Sequence, residues 1–599
     1  MTVVETRVNP VTAWVIAGTL QSIADEMAHK LTRMAYSSII RESEDFGCAL
    51  LDGETRQLAE SALSTPLQSG PIPGYVRGIL RHFEEIGEVF RPGDVVMHNH
   101  AYYGASHGPD VGFCVPVFYE DRLVGFSATT AHHLDIGAMS PGSCGIVDAT
   151  DAYAEGLQFN AIKVYEGGKR NDWVWRILQD NLRASQLVIG DMEAQISAAR
   201  IGANRFVELI EKFSLETVQL ATEDLLDYSE RMLRSKIAAL PDGEYKAEGF
   251  VDGFLDHPDP AYRELRIAVT ITVKGDEILV DLTGTDPQVD LPINMPFIGT
   301  VDMAIYVVLR SILLDSALNE EVPANSGLYR PITITAPLGS LANPRFPAPV
   351  IARFSPGNVL AATVMRALAP VVPKQVSAGV GNLKVVAYSG LRDDGTYWVY
   401  MDITEGSYGG RSGKDGMDAV DTLFANTRNN PIEDIESHYP LRVDRYELRD
   451  EATGPGQWRG GYGSIRDVRF VGTGGFSMEG DGNTFAPLGL FGGRNGVTGE
   501  TVMNPGAEDE AHLPPLSPYR KVPAGSTLRT VSPGGGGYGD PLQREPSLVL
   551  SDVLDDFVTL ESASADYGVV VNSNSWQVDA EATKALRAEL KFAQDQHND

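Results

Sequence analysis

Apolar residues recur at three- and four-residue steps in several parts of the chain, the spacing typical of one buried face of a helix. Within residues 10–43 this spacing is carried by Val15, Ile16, Leu20, Ile23, Met27, Leu31 and Met34. Residues 190–240 show it in two segments, of which the first begins with Gly190-Asp191, a suitable helix cap. Two further apolar helices are predicted at 301–314 and 358–369.

Other parts of the chain have the pattern of strands and turns. Residues 94–136 contain short apolar runs interrupted by Gly, Pro and Asp. Residues 244–285 alternate apolar with polar positions on either side of Lys274-Gly275-Asp276, which predicts an antiparallel hairpin. From about residue 405 the chain is rich in glycine but keeps aromatic and β-branched residues, which predicts strands joined by tight turns.

These patterns predict an α+β protein of several subdomains, because 599 residues exceed what one hydrophobic core holds. We expect a mixed helix and strand region that binds metal, a central α+β region, a glycine-rich β region and a helical C-terminal tail. The corresponding ranges are 1–240, 241–400, 401–545 and 546–599.

Composition narrows the class of protein. Hydrophobic residues make up 43% and charged residues 22%, as in soluble globular proteins. The formal charge of -32 argues against a nucleic-acid partner, since phosphate backbones bind basic surfaces. A signal peptide, a membrane-spanning run and a disulfide framework from three cysteines are not predicted, so we expect a cytoplasmic protein without a membrane partner.

Histidines are concentrated in one part of the sequence. Of eleven histidines, five fall within 36 residues: His98, His100, His107, His132 and His133. Asp94, Asp110 and Asp135 accompany them. One His–Asp pair is more often a buried structural hydrogen bond, but this concentration favours a metal site. Imidazole and carboxylate ligands without thiolate suit Zn, Mn or Fe.

Strand geometry indicates which of these side chains act together. Residues two apart share a face, so His133 and Asp135 are expected to point one way and His132 the other. Asp45 follows a predicted helix and precedes an apolar run, a junction where functional carboxylates are common. Helix termination and surface charge are the alternative explanation for Asp45.

Nucleotide-binding motifs are missing from the sequence. The nearest approach to a phosphate-binding loop, residues 409–415, has the wrong spacing and ends in Asp. The glycine run at 534–539 lacks the strand-then-helix context of a dinucleotide site, and we interpret it as a turn or a close backbone contact. No cofactor-binding residues for a nucleotide are therefore predicted in this chain.

Several longer motifs occur together in this chain in the same way as in a known protein family. They include Arg41–Gly47, Tyr102–Val111, Ala131–Gly137, Pro141–Ser143, Gly190–Gln195, Trp458–Gly463, Gly489–Gly493 and Pro533–Asp540. In these motifs, and in their order from about residue 10 to 595, the chain resembles the hydantoinase B/5-oxoprolinase family. That family includes B-type subunits of N-methylhydantoinase, caprolactamase and the acetone and acetophenone carboxylases.

The resemblance implies a division of labour between two chains. An A-type subunit would bind ATP with Mg and phosphorylate a carbonyl oxygen of the substrate. The B-type subunit would hold a metal, and a metal-activated water would open a lactam, hydantoin or 5-oxoproline ring. An A₂B₂-type complex is implied. Two alternatives are a subunit of an ATP-dependent ketone carboxylase and a non-catalytic scaffold for the partner.

One departure from the family pattern bears on the ligands. Many members have Asn-Asp-Pro where this chain has Asn99-His100-Ala101, which favours a transition metal or zinc and the lactamase-like or hydantoinase-like branch. We therefore expect the metal ligands to be Asp45, His100, Asp110 and His133. Asp45 and His133 are also the predicted catalytic residues. His107, His132 and Asp135 are predicted alternate ligands or supporting residues.

Overall fold

The structure, a computed structural model, describes residues 7–143, 147–255, 257–314, 322–423, 425–449 and 453–597. Helices are interspersed with several mainly antiparallel sheets, which confirms the predicted α+β class. Cys144 and residues 1–6 lie outside the described residues, so predictions that concern the third cysteine and the first residues are not addressed.

A seven-stranded sheet forms the centre of the N-terminal region. Its strands are β1 (Phe46–Asp52), β2 (Gln57–Glu60), β3 (Val95–His98), β4 (Asp110–Tyr119), β5 (Arg122–His132), β6 (Ile162–Glu166) and β7 (Lys169–Arg170). They lie in the order β2-β1-β5-β4-β3-β6-β7, and all neighbours are antiparallel. The strands predicted between residues 94 and 136 are thus confirmed as β3, β4 and β5.

Helices cover both faces of this sheet. They are α1 (Pro10–Met34), α2 (Ser38–Arg41), α3 (Pro66–Ser69), α4 (Ile72–Ile86), α5 (Asp172–Asn181), α6 (Ser185–Phe213) and α7 (Leu215–Ile237). Successive strand residues point to opposite faces. Leu50 accordingly joins the core beneath α1 and α6, while Leu51 joins the core beneath α4. The strands between these cores are buried on both sides.

Two predicted helix boundaries were wrong, and Asp191 is involved in both. The first helix ends at Met34, not at residue 43, because the chain is extended at Ala35. Asp191 does not cap a helix, since α6 already begins at Ser185. Its carboxylate instead accepts the backbone N–H groups of Tyr36 and Ser37, at 2.6 and 3.1 Å. Asp191 thus stabilises the break after α1.

A four-stranded sheet follows in the central region, made of β8 (Gly243–Asp252), β9 (Glu264–Lys274), β10 (Glu277–Asp281) and β11 (Ile332–Thr335). The predicted hairpin is β9–β10, whose register pairs Glu277 with Lys274. The two predicted apolar helices are α8 (Asp302–Leu313) and α9 (Phe354–Leu368), and both pack into the core of this sheet. Helix α9 begins four residues before its predicted start.

Two further antiparallel sheets and one short helix begin at the end of the central region and continue through the glycine-rich region. The elements are β12 (Lys384–Leu391), β13 (Tyr397–Thr404), α10 (Ile432–His438), β14 (Leu441–Leu448), β15 (Ser464–Phe470), β16 (Gly474–Glu479), β17 (Glu500–Met503), β18 (Ala511–His512), β19 (Ser517–Val522) and β20 (Thr527–Val531). The strand orders are β13-β12-β16-β19 and β14-β15-β20-β17-β18.

Glycine pairs in this region allow backbone segments to pack against each other. A Cβ atom added to Gly460 would lie 1.9 Å from the carbonyl oxygen of Gly535. The N–H of Gly454 donates to that same oxygen at 2.9 Å. The interpretation of the 534–539 run as a close backbone contact is confirmed, and these glycines serve packing as well as turns.

The C-terminal tail is helical, as predicted, with one short hairpin. It comprises α11 (Pro546–Leu554), α12 (Leu560–Ala565), β21 (Val571–Asn572), β22 (Gln577–Val578) and α13 (Ala580–His597). Among the described helices, none has a stretch long and apolar enough to cross a bilayer. The four predicted domain ranges stay predictions.

Candidate metal centre

The register of one hairpin brings the candidate ligands together. Asp110 is the first residue of β4 and His132 the last of β5, and the two are paired across the antiparallel ladder. His107 lies three residues before Asp110, in the loop that leads into β4. The three side chains therefore meet at one end of the β4–β5 pair.

Donor atoms of these three residues surround one point. Asp110 Oδ1 lies 3.1 Å from His107 Nε2 and 2.9 Å from His132 Nδ1. One donor atom from each residue lies within 4.8 Å of the others, and all three residues are buried. Ligand atoms about 2.1 Å from a shared ion are roughly 3.0–3.4 Å apart, so the spacing fits a divalent metal.

Hydrogen bonds fix the orientation of His107. Its Nδ1 lies 2.7 Å from the carbonyl oxygen of Ile351, which can only accept, so Nδ1 carries the proton. Nε2 is then unprotonated, and this buried atom makes no hydrogen bond to a described residue. A backbone carbonyl that orients the far nitrogen of an imidazole is typical of metal-binding histidines.

His132 has a compatible arrangement of partners. Its Nε2 lies 2.7 Å from Ser143 Oγ, which in turn lies 3.4 Å from the sulfur of Met401. His132 Nδ1 lies within hydrogen-bond distance of Asp110 Oδ1, at 2.9 Å, so it donates a proton to that carboxylate in one tautomer. In the other tautomer Nε2–H donates to Ser143, and Nδ1 is unprotonated and free to bind an ion. Both imidazoles can thus present an unprotonated nitrogen to the same point.

The surroundings of Asp110 keep it ionised. Its Oδ2 accepts from Ser106 Oγ at 2.6 Å and from Arg353 Nη2 at 2.7 Å. Burial alone would raise the pKa of Asp110, but His107, His132 and Arg353 together hold it well below its usual range. Burial lowers the pKa of His107 to about 4. A carboxylate and a neutral imidazole are the protonation states that metal binding requires.

Asp45 and Gln68 border the cluster. Asp45 Oδ2 lies 4.0 Å from His132 Nδ1, and burial raises the pKa of Asp45 to about 6. Gln68 Nε2 donates to Asp45 Oδ1 at 3.1 Å and to Asp110 Oδ1 at 2.8 Å. Asp45 is therefore placed to supply a fourth oxygen, or to exchange a proton, beside the three-residue cluster.

Two predicted members lie on the other side of the strand. His133 Nε2 is 2.9 Å from Gln195 Oε1 of α6, and its buried Nδ1 has no hydrogen-bond partner among the described residues. Asp135 forms an ion pair with Arg183 at 2.9 Å. The expectation that His132 and His133 point to opposite faces agrees with their different partners, Asp110 for the first and Gln195 for the second.

His100 and His98 have other neighbours. The His100 ring lies 5.1 Å from that of Tyr103 and 5.8 Å from that of Phe346. His98 Nε2 is 3.2 Å from the carbonyl oxygen of Tyr103. Among the described residues, three form the cluster of donor atoms. Asp110 was an expected ligand, and His107 and His132 were predicted alternates. His100 and His133 as ligands stay predictions.

Sequence reasoning missed four residues that contact the cluster: Gln68, Ser106, Ser143 and Arg353. Ser106 and Ser143 belong to motifs that had been recognised, so their place in those motifs could have identified them. Nothing in the sequence points to Arg353, which is 243 residues from the carboxylate it contacts.

Comparison with known proteins extends these observations. A solved structure, the ATP-dependent caprolactamase from Pseudomonas jessenii, matches with a TM-score of 0.85 and 27% identity, covering 97% of this chain and 100% of that one. A nucleotide-free acetone carboxylase matches with a TM-score of 0.88 over 98% of this chain and 83% of that one. At 18% identity, the second likeness concerns the fold alone.

Sequence similarity covers almost the whole chain. A relative from Pseudomonas sp. (strain NS671), the B subunit of a putative D-/L-hydantoinase, is 63% identical over 97% of this chain and 98% of its own length. A family described as hydantoinase B/oxoprolinase matches residues 9–541. With this match over most of its length, the chain belongs to the hydantoinase B/oxoprolinase family.

Proposed function

We propose that this chain is the metal-binding B-type subunit of an ATP-dependent cyclic-amide hydrolase. The observation that carries the proposal is the 63% identity to the B subunit of a putative D-/L-hydantoinase along nearly the full length of both chains. The buried group of His107, Asp110 and His132 supports it, because two imidazoles and one carboxylate suit Zn, Mn or Fe. A hydantoin is the ring we favour over a lactam or 5-oxoproline.

ATP chemistry is assigned to a partner. Because the hydantoinase relative is one of at least two lettered subunits, we infer an A-type subunit that binds ATP with Mg and activates the substrate carbonyl by phosphorylation. The missing phosphate-binding loop in this sequence agrees with that division. We propose an A₂B₂-type complex.

The residues of the centre have separate roles in this proposal. His107 Nε2, His132 Nδ1 and Asp110 Oδ1 would hold a divalent ion, which supplies a Lewis acid and lowers the pKa of bound water. Arg353 keeps Asp110 anionic and oriented. Asp45, with a pKa raised to about 6 by burial, can accept a proton near neutral pH. A direct part for His133 stays a prediction.

The test is co-expression with an A-type subunit from the same organism, followed by assays of ATP hydrolysis and ring opening. Hydantoins, lactams, 5-oxoproline and ketones are compared, with and without bicarbonate. We expect ATP-dependent opening of a cyclic amide without bicarbonate. The Asp110→Asn variant of the complex should lose it, while His100→Gln keeps it.

Two results would replace the proposal with an alternative. Consumption of a ketone only in the presence of bicarbonate would identify a carboxylase. Full activity of a complex in which this chain carries Asp110→Asn and holds no metal would reduce the chain to a scaffold.

A further inference from the structure

A cavity of about 550 Å³ lies beside α9, apart from the metal centre. One face of the helix forms its wall, with Asn358, Val359, Ala362, Thr363 and Arg366. This spacing of one, three and four residues places them along a single stripe of the helix. Loops of the glycine-rich region form the opposite wall, and the volume is in the range of small-molecule sites.

Asn358 brings an unused acceptor to the cavity. The residue is 5% exposed, and its buried Oδ1 makes no hydrogen bond to any residue that the structure describes. Burial of an amide oxygen without a partner is costly. An N–H group on a ligand in the cavity would satisfy this oxygen.

Arg366 contributes a positively charged side chain to the wall of the cavity. Its half-buried guanidinium has no hydrogen bond or ion pair with the described part of the chain, and burial lowers its pKa. Glu248, which also lines the cavity, is the carboxylate whose charge acts on Arg366 and raises its pKa, but its ion pair is with Arg266, at 3.4 Å on the outer surface. A ligand carboxylate is the group that would pair with Arg366, in the two-pronged geometry that arginine favours.

The second carboxyl group of the cavity, that of Asp481, is buried. Burial and the neighbouring Asp252 raise the pKa of Asp481 well above its usual range, which favours its neutral form. The aromatic rings of Phe250 and Phe485 stack at 5.4 Å on the cavity wall. The site therefore combines one cation, one unsatisfied acceptor and an apolar surface.

We propose that this cavity binds the ring-opened product of cyclic-amide hydrolysis. Hydrolysis adds the oxygen of water to the carbonyl carbon and breaks the C–N bond, while the nitrogen gains a proton. Every such product carries a carboxylate and an N–H group on one small, partly apolar molecule. Arg366 would bind the carboxylate, Asn358 the N–H group, and the phenylalanine pair the side chain.

The helix sets the distances involved. Asn358 and Arg366 are eight residues apart, about 12 Å along the axis. Side chains of a helix tilt toward its N-terminus, so the long side chain of Arg366 would extend toward Asn358 and shorten the distance that one ligand must span. Arg353, whose guanidinium contacts Asp110, precedes Asn358 by five residues, or about 8 Å of helical rise. The start of helix α9 thus contacts the metal centre and a later part of it lines the cavity, where the product would bind after it leaves that centre.

The inference rests on the proposed function for the identity of the ligand, and binding to the purified full chain tests it without ATP or a partner. Isothermal titration calorimetry would compare an N-carbamoyl amino acid that has an apolar side chain with its methyl ester. We expect the free acid to bind and the ester to bind at least tenfold more weakly. Arg366→Gln should weaken binding of the acid at least tenfold, and Arg231→Gln, on the exposed face of α7, should not.

A second variant leaves both polar groups in place. Ala362→Phe fills the cavity from the helix face and should also abolish binding, with the thermal midpoint as a check on folding. Unchanged affinity in both Arg366→Gln and Ala362→Phe, or no binding to the wild-type chain, overturns the inference. Binding that depends on Arg366, in a complex that hydrolyses no cyclic amide, would instead overturn the proposed function alone.

Discussion

Asp110 is the residue on which the charged and polar groups of the metal centre converge. Oδ1 faces His107 and His132, while Oδ2 is held by Ser106 and Arg353. A carboxylate that is 0% exposed is stable as an anion only when such partners replace its hydration. Oδ2 is therefore held by the protein alone, while Oδ1 faces the two imidazoles and also accepts from Gln68.

Substitution of single histidines distinguishes two sets of metal ligands. One is the cluster of His107, Asp110 and His132, and the other is the set with His100 and His133 that was expected from the sequence. His132→Ala should lower the metal content of the purified chain about tenfold or more, since loss of even a supporting residue costs about 10- to 100-fold in affinity. His100→Ala should keep its metal, because its ring packs against Tyr103 and Phe346. Inductively coupled plasma mass spectrometry on dialysed samples measures both.

The opposite result would restore the set expected from sequence. Metal lost in His100→Ala and retained in His132→Ala would return the site to His100 and His133. The same experiment tests His133→Ala. Gln195 contacts Nε2 of His133, so Nδ1 is the nitrogen that could bind a metal.

Glu155 should make stability depend on pH. Its Oε1 accepts the N–H groups of Val350 and Ile351, which lower its pKa, but burial dominates and raises the pKa to about 8. The folded state therefore holds this proton more tightly than the unfolded chain. The resulting stabilisation is complete below about pH 4.5 and is lost as pH rises through about 8.

Glu155→Gln removes this titration and tests it. Relative to the variant, the wild type should lose on the order of 5 kcal/mol of stability between pH 4 and pH 9. Urea unfolding across that range measures the difference, with Glu84→Gln on the exposed face of α4 as the control. Parallel curves for wild type and Glu155→Gln would show that Glu155 does not titrate in this way.

At the scale of elements, the β4–β5 hairpin supplies the geometry of the centre. Antiparallel register places Asp110 opposite His132, while His133, the residue directly after β5, contacts Gln195 of α6 instead. The hairpin turns at Glu120 and Asp121, both with positive φ. The ligand pair is thus set by the number of residues on each side of that turn.

Close packing of glycine backbones is a second element-scale feature that can be tested. Gly460→Ala would place a methyl group 1.9 Å from the Gly535 carbonyl, so the two segments must separate. We expect destabilisation of about 1–3 kcal/mol, as for other overpacked sites. Gly18→Ala is the matched control, because its Cβ meets nothing within 4 Å inside helix α1.

The two alanine variants should shift stability in opposite directions. Gly18→Ala is expected to stabilise the chain by about 0.5–1 kcal/mol, since alanine favours the helix. Thermal unfolding of both variants measures the signs. Equal midpoints for Gly460→Ala and wild type would mean that the glycine contact is looser than described.

Across the whole molecule, the centre joins segments that are far apart in sequence. Asp45 lies directly before strand β1, and Gln68 lies in helix α3. Arg353 lies directly before helix α9. Arg353 links the β4–β5 hairpin to the central region through Asp110. A ligand at this centre therefore stabilises contacts between regions as well as within one.

Removal of metal should lower the stability of the whole chain. When free metal exceeds its dissociation constant 100- to 1,000-fold, binding contributes about 3–4 kcal/mol. A chelator should therefore lower the thermal midpoint of the wild-type chain by several degrees. The His132→Ala chain should show no shift, and an equal shift in both would place the stabilising metal elsewhere.

Local sequence patterns were sufficient to predict some helices and strands of this protein. The three-to-four residue spacing located α8 and α9, and alternation located the β9–β10 hairpin, because both periodicities come from backbone geometry alone. The break after α1 was missed because the carboxylate that stabilises it, Asp191, is 155 residues away. His107 and His132 were predicted only as alternates, because the pairing of Asp110 with His132 depends on the hairpin register, which the sequence pattern does not show.

By itself, the sequence determined the fold class, the family and the window of residues that contains the centre. Those depend on composition, periodicity and motif order, which are properties of short segments. Only the tertiary structure decided which histidines share a point with Asp110, and that Arg353 holds its second oxygen. Ligand geometry depends on distances between side chains from separate segments, and those distances exist only once the chain is packed.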